Sequence, residues 1–135
     1  MTVKELERCR AAKGEIESIW ERIEEIKSAR ERVTQAITGM PTGSSSKSKN
    51  KTEDLTIKLT ELEERLAARI RQREMEIKAV EEWIVKLKPY QQNVIRWRYI
   101  NGLPWRRVAR KTGYTIDGVL KINAAVKRGI EKEGC

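Results

Sequence analysis

The chain has 135 residues, a formal net charge of +9, 36% charged residues, no histidine and only two cysteines, Cys9 and Cys135. Apolar residues make up 39%, which favours long helices with narrow apolar seams over one thick core. No stretch of the sequence resembles a zinc site, a disulfide framework, a phosphate-binding loop or a nucleophile elbow. Because no run approaches the ~18 apolar residues of a membrane span and the start lacks a signal peptide, we expect a cytoplasmic protein without membrane contact. The lack of histidine and of catalytic or ligand-binding motifs predicts no cofactor, no metal and no enzymatic activity.

A first helix is predicted to begin at the N-terminus. Thr2 and Glu5 have the spacing of a capping box, in which each side chain satisfies a backbone N–H of the other residue. Steps of three and four residues then separate the positions of a heptad seam, interrupted only by Arg30. Its small or apolar members are Cys9, Ala12, Ile16, Ile19, Ile23, Ile26, Val33 and Ile37.

A polar segment, residues 40–52, follows the first helix and has no apolar residue after Met40 that could anchor it. We predict a flexible linker, with a solvated loop favoured over lysines that touch DNA. Thr52 should cap a second helix, and Pro89 should end it because proline forces the preceding Lys88 out of helical geometry. Its seam comprises Leu59, Leu62, Leu66, Ile70, Arg73, Ile77, Val80, Ile84 and Leu87.

Two long helices joined by a linker predict an antiparallel hairpin of coiled-coil arms over residues 1–88. Because such a hairpin covers only one side of each seam, Trp20 and Trp83 would need further cover. We therefore predict a homodimer that forms through the arms.

Residues 89–135 predict a trihelical unit that contains a helix-turn-helix. Its helices are expected at 90–101, 105–112 and 116–132, with Gly113 in the turn and Thr115 as the cap of the last helix. The predicted core comprises Val94, Ile95, Ile100, Leu103, Val108, Ala109, Tyr114, Val119, Ile122 and Val126.

Positive charge is concentrated in the same segment. Residues 89–135 carry ten Lys and Arg against three Asp and Glu, so +7 of the net +9 lies in the last third of the chain. Such focusing is typical of a protein that binds the phosphate backbone of DNA.

Candidate DNA contacts follow from the position of each side chain in the motif. The start of the second motif helix enters the major groove, so the predicted base-reading residues are Thr115, Ile116, Asp117, Leu120 and Lys121. The predicted phosphate-binding residues are Arg106, Arg107, Arg110, Lys111, Lys127 and Arg128, with Arg96 and Arg98 as outer members. Trp97, Tyr99 and Trp105 are interpreted as packing residues in preference to base-stacking ones, and Gly118 either admits close backbone approach to DNA or is merely tolerated.

The motif resembles region 4 of sigma factors, the part that reads the upstream promoter element. The residues that carry the resemblance are Val108, Ala109, Gly113, Tyr114, Thr115, Val119 and Ile122, which align without a gap. It implies that Ile116, Asp117 and Lys121 occupy base-reading positions and that Thr115 meets DNA at the helix start. No polymerase-binding region 2 is recognisable, so the resemblance is to a sigma-like regulator and not to a full sigma factor.

The layout of nearly the whole chain also resembles small phage proteins of Gram-positive hosts, related to the ArpU and RinA regulators of late transcription. Arg98-Tyr99-Ile100 and Trp105 through Tyr114 carry that match, and the arms match in pattern. We therefore expect a sequence-specific regulator that binds double-stranded DNA, of phage or prophage origin, with host RNA polymerase as a further candidate partner. The alternatives are a DNA-packaging adaptor of the small-terminase kind and a coiled-coil adaptor that binds only protein.

Overall fold

A computed structural model describes residues 1–38 and 45–133, and for residues 37, 38 and 45–49 it describes the backbone only. The helices are α1 (Val3–Thr38), α2 (Ser45–Ile84), α3 (Pro89–Ile95), α4 (Trp105–Thr112) and α5 (Ile116–Glu133), and a π-helical turn over Arg96–Ile100 continues α3. The predicted all-α class is confirmed: two long N-terminal helices pack together and shorter C-terminal helices follow. The described part of the chain contains no strand.

The start of α1 has the predicted capping box. The Glu5 N–H donates to the Thr2 hydroxyl at 3.1 Å, and the Thr2 N–H donates to the Glu5 carboxylate at 3.1 Å. Two N–H groups that no helical carbonyl can reach are thereby satisfied, so this local signal was sufficient to place the helix start.

The start of α2 differs from the prediction. The helix begins at Ser45, seven residues before the expected cap at Thr52, so the C-terminal part of the predicted linker 40–52 is helical. Residues 45–52 contain neither Gly nor Pro, and lysine and serine cost little in a helix that is already being extended. The remainder of the predicted linker, residues 40–44, lies outside the described residues.

The end of α2 follows the prediction more closely. The α-helix stops at Ile84, and two turns follow in which the N–H groups of Lys86 and Leu87 donate to the carbonyls of Trp83 and Ile84 at 3.1 and 2.9 Å. Lys88 is extended, with ψ of 147°, and Pro89 occupies the first position of α3. The steric effect of proline on its predecessor therefore separates the two helices.

The chain divides into two compact units. Unit 2 comprises Glu15–Ile70, the parts of α1 and α2 that pack on each other as an antiparallel pair. Ile23, Ile26 and Leu59 are buried between them, and Arg69 of α2 donates to the Glu15 carboxylate of α1 at 2.7 Å. The unit therefore has a narrow apolar seam, as the heptad pattern predicted.

Unit 1 comprises Met1–Gly14 and Arg71–Cys135, so the predicted domain boundary after Lys88 does not separate two compact units. The reason is a shared core, to which both long helices and the C-terminal helices contribute side chains. Its buried members are Leu6, Cys9, Val80, Trp83, Ile84, Ile95, Tyr99, Val126 and Ile130. The prediction that Trp83 needs cover from a second copy is wrong, because this core leaves the side chain only 8% exposed.

A second core within unit 1 holds the helix-turn-helix. Val94, Leu103, Val108, Ala109 and Val119 are buried in it, and half-buried Trp97, Trp105 and Ile122 pack against it. All of the predicted core residues are buried or half-buried except Tyr114, which is 44% exposed. Tyr114 lies in the turn between α4 and α5, outside the periodicity of either helix, so no helical face directs it inward.

One buried hydrogen bond links α5 to the π-helical turn. The hydroxyl of the fully buried Tyr99 donates to the side-chain carbonyl of Asn123 at 2.8 Å, and Asn123 is itself buried. Burial raises the pKa of the Tyr99 phenol, so the group stays protonated and able to donate. This bond gives the two elements a specific register that apolar packing alone would not supply.

None of the described helices combines the length and the apolar character needed to cross a membrane.

The turn of the motif supplies a first prediction. Gly113 has φ of +80°, and a Cβ added there would meet nothing within 4 Å, so Gly113→Ala introduces backbone strain without a clash. We expect the free energy of unfolding to fall by about 1–2 kcal/mol, measured by urea denaturation with far-UV circular dichroism. The control is Gly129→Ala, a helical glycine with equal space around its Cβ, which should gain up to about 1 kcal/mol; equal effects of the two substitutions would contradict the left-handed turn.

The buried hydrogen bond supplies a second prediction. Tyr99→Phe removes the donor and leaves the Asn123 carbonyl unpaired, so we expect a loss of about 1–3 kcal/mol in unfolding free energy. Tyr90→Phe is the matched control because the Tyr90 side chain is 42% exposed, and it should change stability by less than about 0.5 kcal/mol. Loss of the same size in both variants would show that the Tyr99 hydroxyl is not specifically bound.

Candidate nucleic-acid interface

The first helix of the motif, α4, has one buried and one exposed side. It begins after the extended Pro104, whose carbonyl accepts from the N–H groups of Arg107 and Val108 at 2.9 and 3.0 Å. Val108 and Ala109 are buried. The residues on the opposite side are all exposed and all cationic: Arg106, Arg107, Arg110 and Lys111.

Two local devices set the turn between α4 and α5. Gly113 ends α4 in the left-handed conformation, and its N–H donates to the Ala109 carbonyl at 2.9 Å. Thr115 then caps α5, since its hydroxyl accepts from the Gly118 N–H at 3.0 Å. Both roles were predicted from the sequence, and both are confirmed.

Space around the cap explains the glycine in the first turn of α5. A Cβ built on Gly118 would lie 3.1 Å from the Thr115 hydroxyl and 3.5 Å from the Tyr114 Cβ. The glycine therefore leaves room for the capping bond, a structural reason that the sequence pattern did not suggest.

The second motif helix, α5, buries a stripe and leaves the remaining surface free. Val119, Asn123, Val126 and Ile130 are buried at steps of three and four residues, which places them on one side of the helix. The five predicted base-reading residues, Thr115, Ile116, Asp117, Leu120 and Lys121, are all exposed. Their side chains lie at the N-terminal end of α5, where a recognition helix meets a groove.

The cations of α4 and α5 predicted to contact DNA are available for an external anion. Among the described residues, no ion pair involves Arg106, Arg107, Arg110, Lys111, Lys121, Lys127 or Arg128. Lys127 is half-buried and the others are exposed. The Lys111 ammonium lies 5.3 Å from the centre of the Trp97 ring, a contact that orients the charge without neutralising it.

The two outer phosphate candidates, Arg96 and Arg98, both have partners within the protein. Arg96 donates two hydrogen bonds to the Glu81 carboxylate, at 3.0 and 3.3 Å, and this pairing raises the pKa of the guanidinium. Because its charge is already compensated within the protein, Arg96 does not belong with the free cations.

Arg98 is engaged in a different way. Its guanidinium donates to the Leu103 carbonyl at 3.0 Å and lies 4.4 Å from the centre of the Trp105 ring. Desolvation by burial, together with repulsion from Arg10, lowers the pKa of Arg98. The side chain thus holds the segment before α4.

The aromatic residues of this region pack inside the protein, as favoured from the sequence. Tyr99 is fully buried, and Trp97 and Trp105 are half-buried against the second core. Each tryptophan also supports a cation on its ring, Lys111 on Trp97 and Arg98 on Trp105. These rings therefore position basic side chains and are not free platforms for stacking bases.

Two long basic side chains from the N-terminal part of the chain contribute contacts that sequence reasoning missed. The Lys13 ammonium donates to the Asn101 carbonyl at 2.9 Å, and Arg73 donates to the Ile100 carbonyl at 2.8 Å. Cations at the C-terminal end of a helix satisfy carbonyls that have no partner within the helix. Arg73 had a visible signal, as a polar residue in an apolar seam, whereas nothing in the sequence singled out Lys13.

The chemistry of the site is that of anion binding by side chains. No group of three His, Cys, Asp or Glu side chains that could hold a metal ion occurs among the residues placed by the structure. The residues predicted to contact DNA expose guanidinium, ammonium, hydroxyl and aliphatic groups and one carboxylate, Asp117. They can bind phosphate, donate to base edges and contact apolar atoms in a groove.

Comparisons with protein-family models, with curated proteins and with solved structures give no match for this chain.

Proposed function

We propose that this protein is a sequence-specific regulator that binds double-stranded DNA, with α5 as its recognition helix and α4 beside the phosphate backbone. The observation that carries the proposal is the division of α4 and α5 into a buried side and an exposed side: six exposed cations and the half-buried Lys127 form no ion pair among the described residues. Five of the seven, Arg106, Arg107, Arg110, Lys111 and Lys121, lie on α4 or in the first two turns of α5, whereas cations that merely solubilise a protein need not be concentrated in one motif. A duplex groove supplies both the phosphates and the base edges that such a face fits.

The regulatory role rests on the resemblance to sigma region 4 and to the ArpU and RinA regulators. Under this proposal the chain controls late genes of a phage or prophage in the bacterial cytoplasm and is a candidate partner of host RNA polymerase. The arrangement of exposed groups supports DNA binding more directly than it supports polymerase contact.

We infer a homodimer as part of the same proposal, formed through unit 2. Trp20 is 54% exposed on α1, and Ile57 is 58% exposed on α2. Trp20 lines a groove together with Glu21, Glu24 and, further along α1, Arg32. In a two-fold contact between antiparallel copies of α1, the Arg32 end of one copy faces the acidic Trp20 end of the other, so the charges complement each other.

Salt dependence tests the phosphate contacts. The association constant of the full chain with duplex DNA should fall steeply as salt rises, and Arg110→Ala should reduce the slope of log K against log salt by about 0.9. Fluorescence anisotropy with a labelled duplex measures both quantities. Arg65→Ala, which removes an exposed arginine of unit 2, should leave the slope unchanged, and absence of binding at low salt would support the protein-binding adaptor instead.

Sedimentation equilibrium tests the dimer. The chain should be dimeric at micromolar concentration, and Trp20→Lys should weaken association at least tenfold because it places a cation where the aromatic contact is expected. Val85→Lys alters an apolar residue of unit 1 that is 68% exposed, and it should have little effect. A monomer would contradict the dimer, and a larger closed ring would favour the small-terminase alternative.

A further inference from the structure

The first two turns of α5 expose large aliphatic side chains among charged ones. Ile116 is 44% exposed and Leu120 is 40% exposed. Residues four apart lie on the same side of a helix, so the two side chains form one small apolar surface. Lys121 and Asp117 flank it, and both are exposed.

This apolar surface is separate from the core of unit 1. The buried stripe of α5 runs through Val119, Asn123 and Val126, and neither Ile116 nor Leu120 belongs to the clusters that surround it. Exposed aliphatic atoms gain free energy when a partner removes them from water. The pair is therefore an unpartnered surface at the end of α5 that is expected to meet DNA.

The charge around the pair indicates what that partner is. The cations of α4 and Lys121 give this part of unit 1 a positive character that fits the phosphates of a duplex better than an apolar or basic protein surface. A major groove is wide enough for a helix, and its apolar feature is the 5-methyl group of thymine.

We propose that Ile116 and Leu120 determine specificity by contacting thymine 5-methyl groups in the major groove. The inference rests on the proposed DNA-binding function and names the base that the apolar surface recognises. Lys121 then donates to the acceptor atoms of guanine, and Asp117 accepts from the amino group of cytosine. The binding site should accordingly contain thymines at adjacent steps beside a guanine or cytosine.

Deoxyuridine provides the test, because it differs from thymidine only by the missing methyl group. Binding sites are first selected from random duplex DNA with the full-length protein, and each thymine of the selected site is then replaced singly by deoxyuridine. At one or two positions the dissociation constant should rise about threefold to fivefold, the effect of losing one buried methyl. Thymines elsewhere in the site serve as internal controls.

Variants assign the methyl groups to side chains. When Ile116→Ala or Leu120→Ala binds the selected site, one of the sensitive positions should no longer show a preference for thymine over deoxyuridine. Lys121→Ala should retain that preference at both sensitive positions. Ile116 and Leu120 are exposed, and alanine favours helix, so these variants should stay folded.

Two different failures can be told apart. If the protein binds duplex DNA with strong salt dependence but deoxyuridine has no effect at any position, or if the selected site lacks thymine, the apolar readout is wrong and the DNA-binding function stands. If the protein does not bind duplex DNA even at low salt, both the function and the inference are overturned.

Discussion

Burial of one side of α5 governs how the candidate interface is arranged. That side is formed by Val119, Asn123, Val126 and Ile130. Val119 enters the core beneath α4, whereas Val126 and Ile130 enter the core that the two long helices help to build. The buried bond from Tyr99 to Asn123 lies between these two anchoring points along the helix. Once this stripe is fixed, helical geometry alone decides that Asp117, Lys121 and Arg128 face outward.

Basic side chains serve two distinct purposes in unit 1, and their partners distinguish them. Arg96, Arg98, Lys13 and Arg73 bind a carboxylate, backbone carbonyls or an aromatic ring within the protein. The cations of α4 and α5 form no ion pair among the described residues. The first group stabilises the segment that precedes the motif, and the second leaves a positive surface, so net charge alone would have overstated the number of cations without a partner inside the protein.

Interactions between near neighbours in the chain were the ones that the sequence predicted well. The Thr2–Glu5 capping box, the Thr115 cap, the Gly113 turn and the limits of α4 each depend on residues within five positions of one another. The start of α2 was misplaced because Thr52 has the properties of a cap, yet residues 45–51 contain no Gly or Pro that would prevent the helix from starting earlier. A favourable cap residue permits a helix start without requiring one.

The sequence by itself determined the helical class, the two-helix packing, the helix-turn-helix and the exposure of the predicted base-reading residues, because periodicity and turn chemistry are local properties. Only the tertiary structure decided that the ends of the long helices share a core with the C-terminal helices, that Trp83 is buried there, and that Arg96 and Arg98 are engaged internally. These outcomes depend on which distant side chains meet in space. A sequence pattern identifies the apolar and charged faces of a helix. Which distant residues contact each face is decided only when the chain is folded.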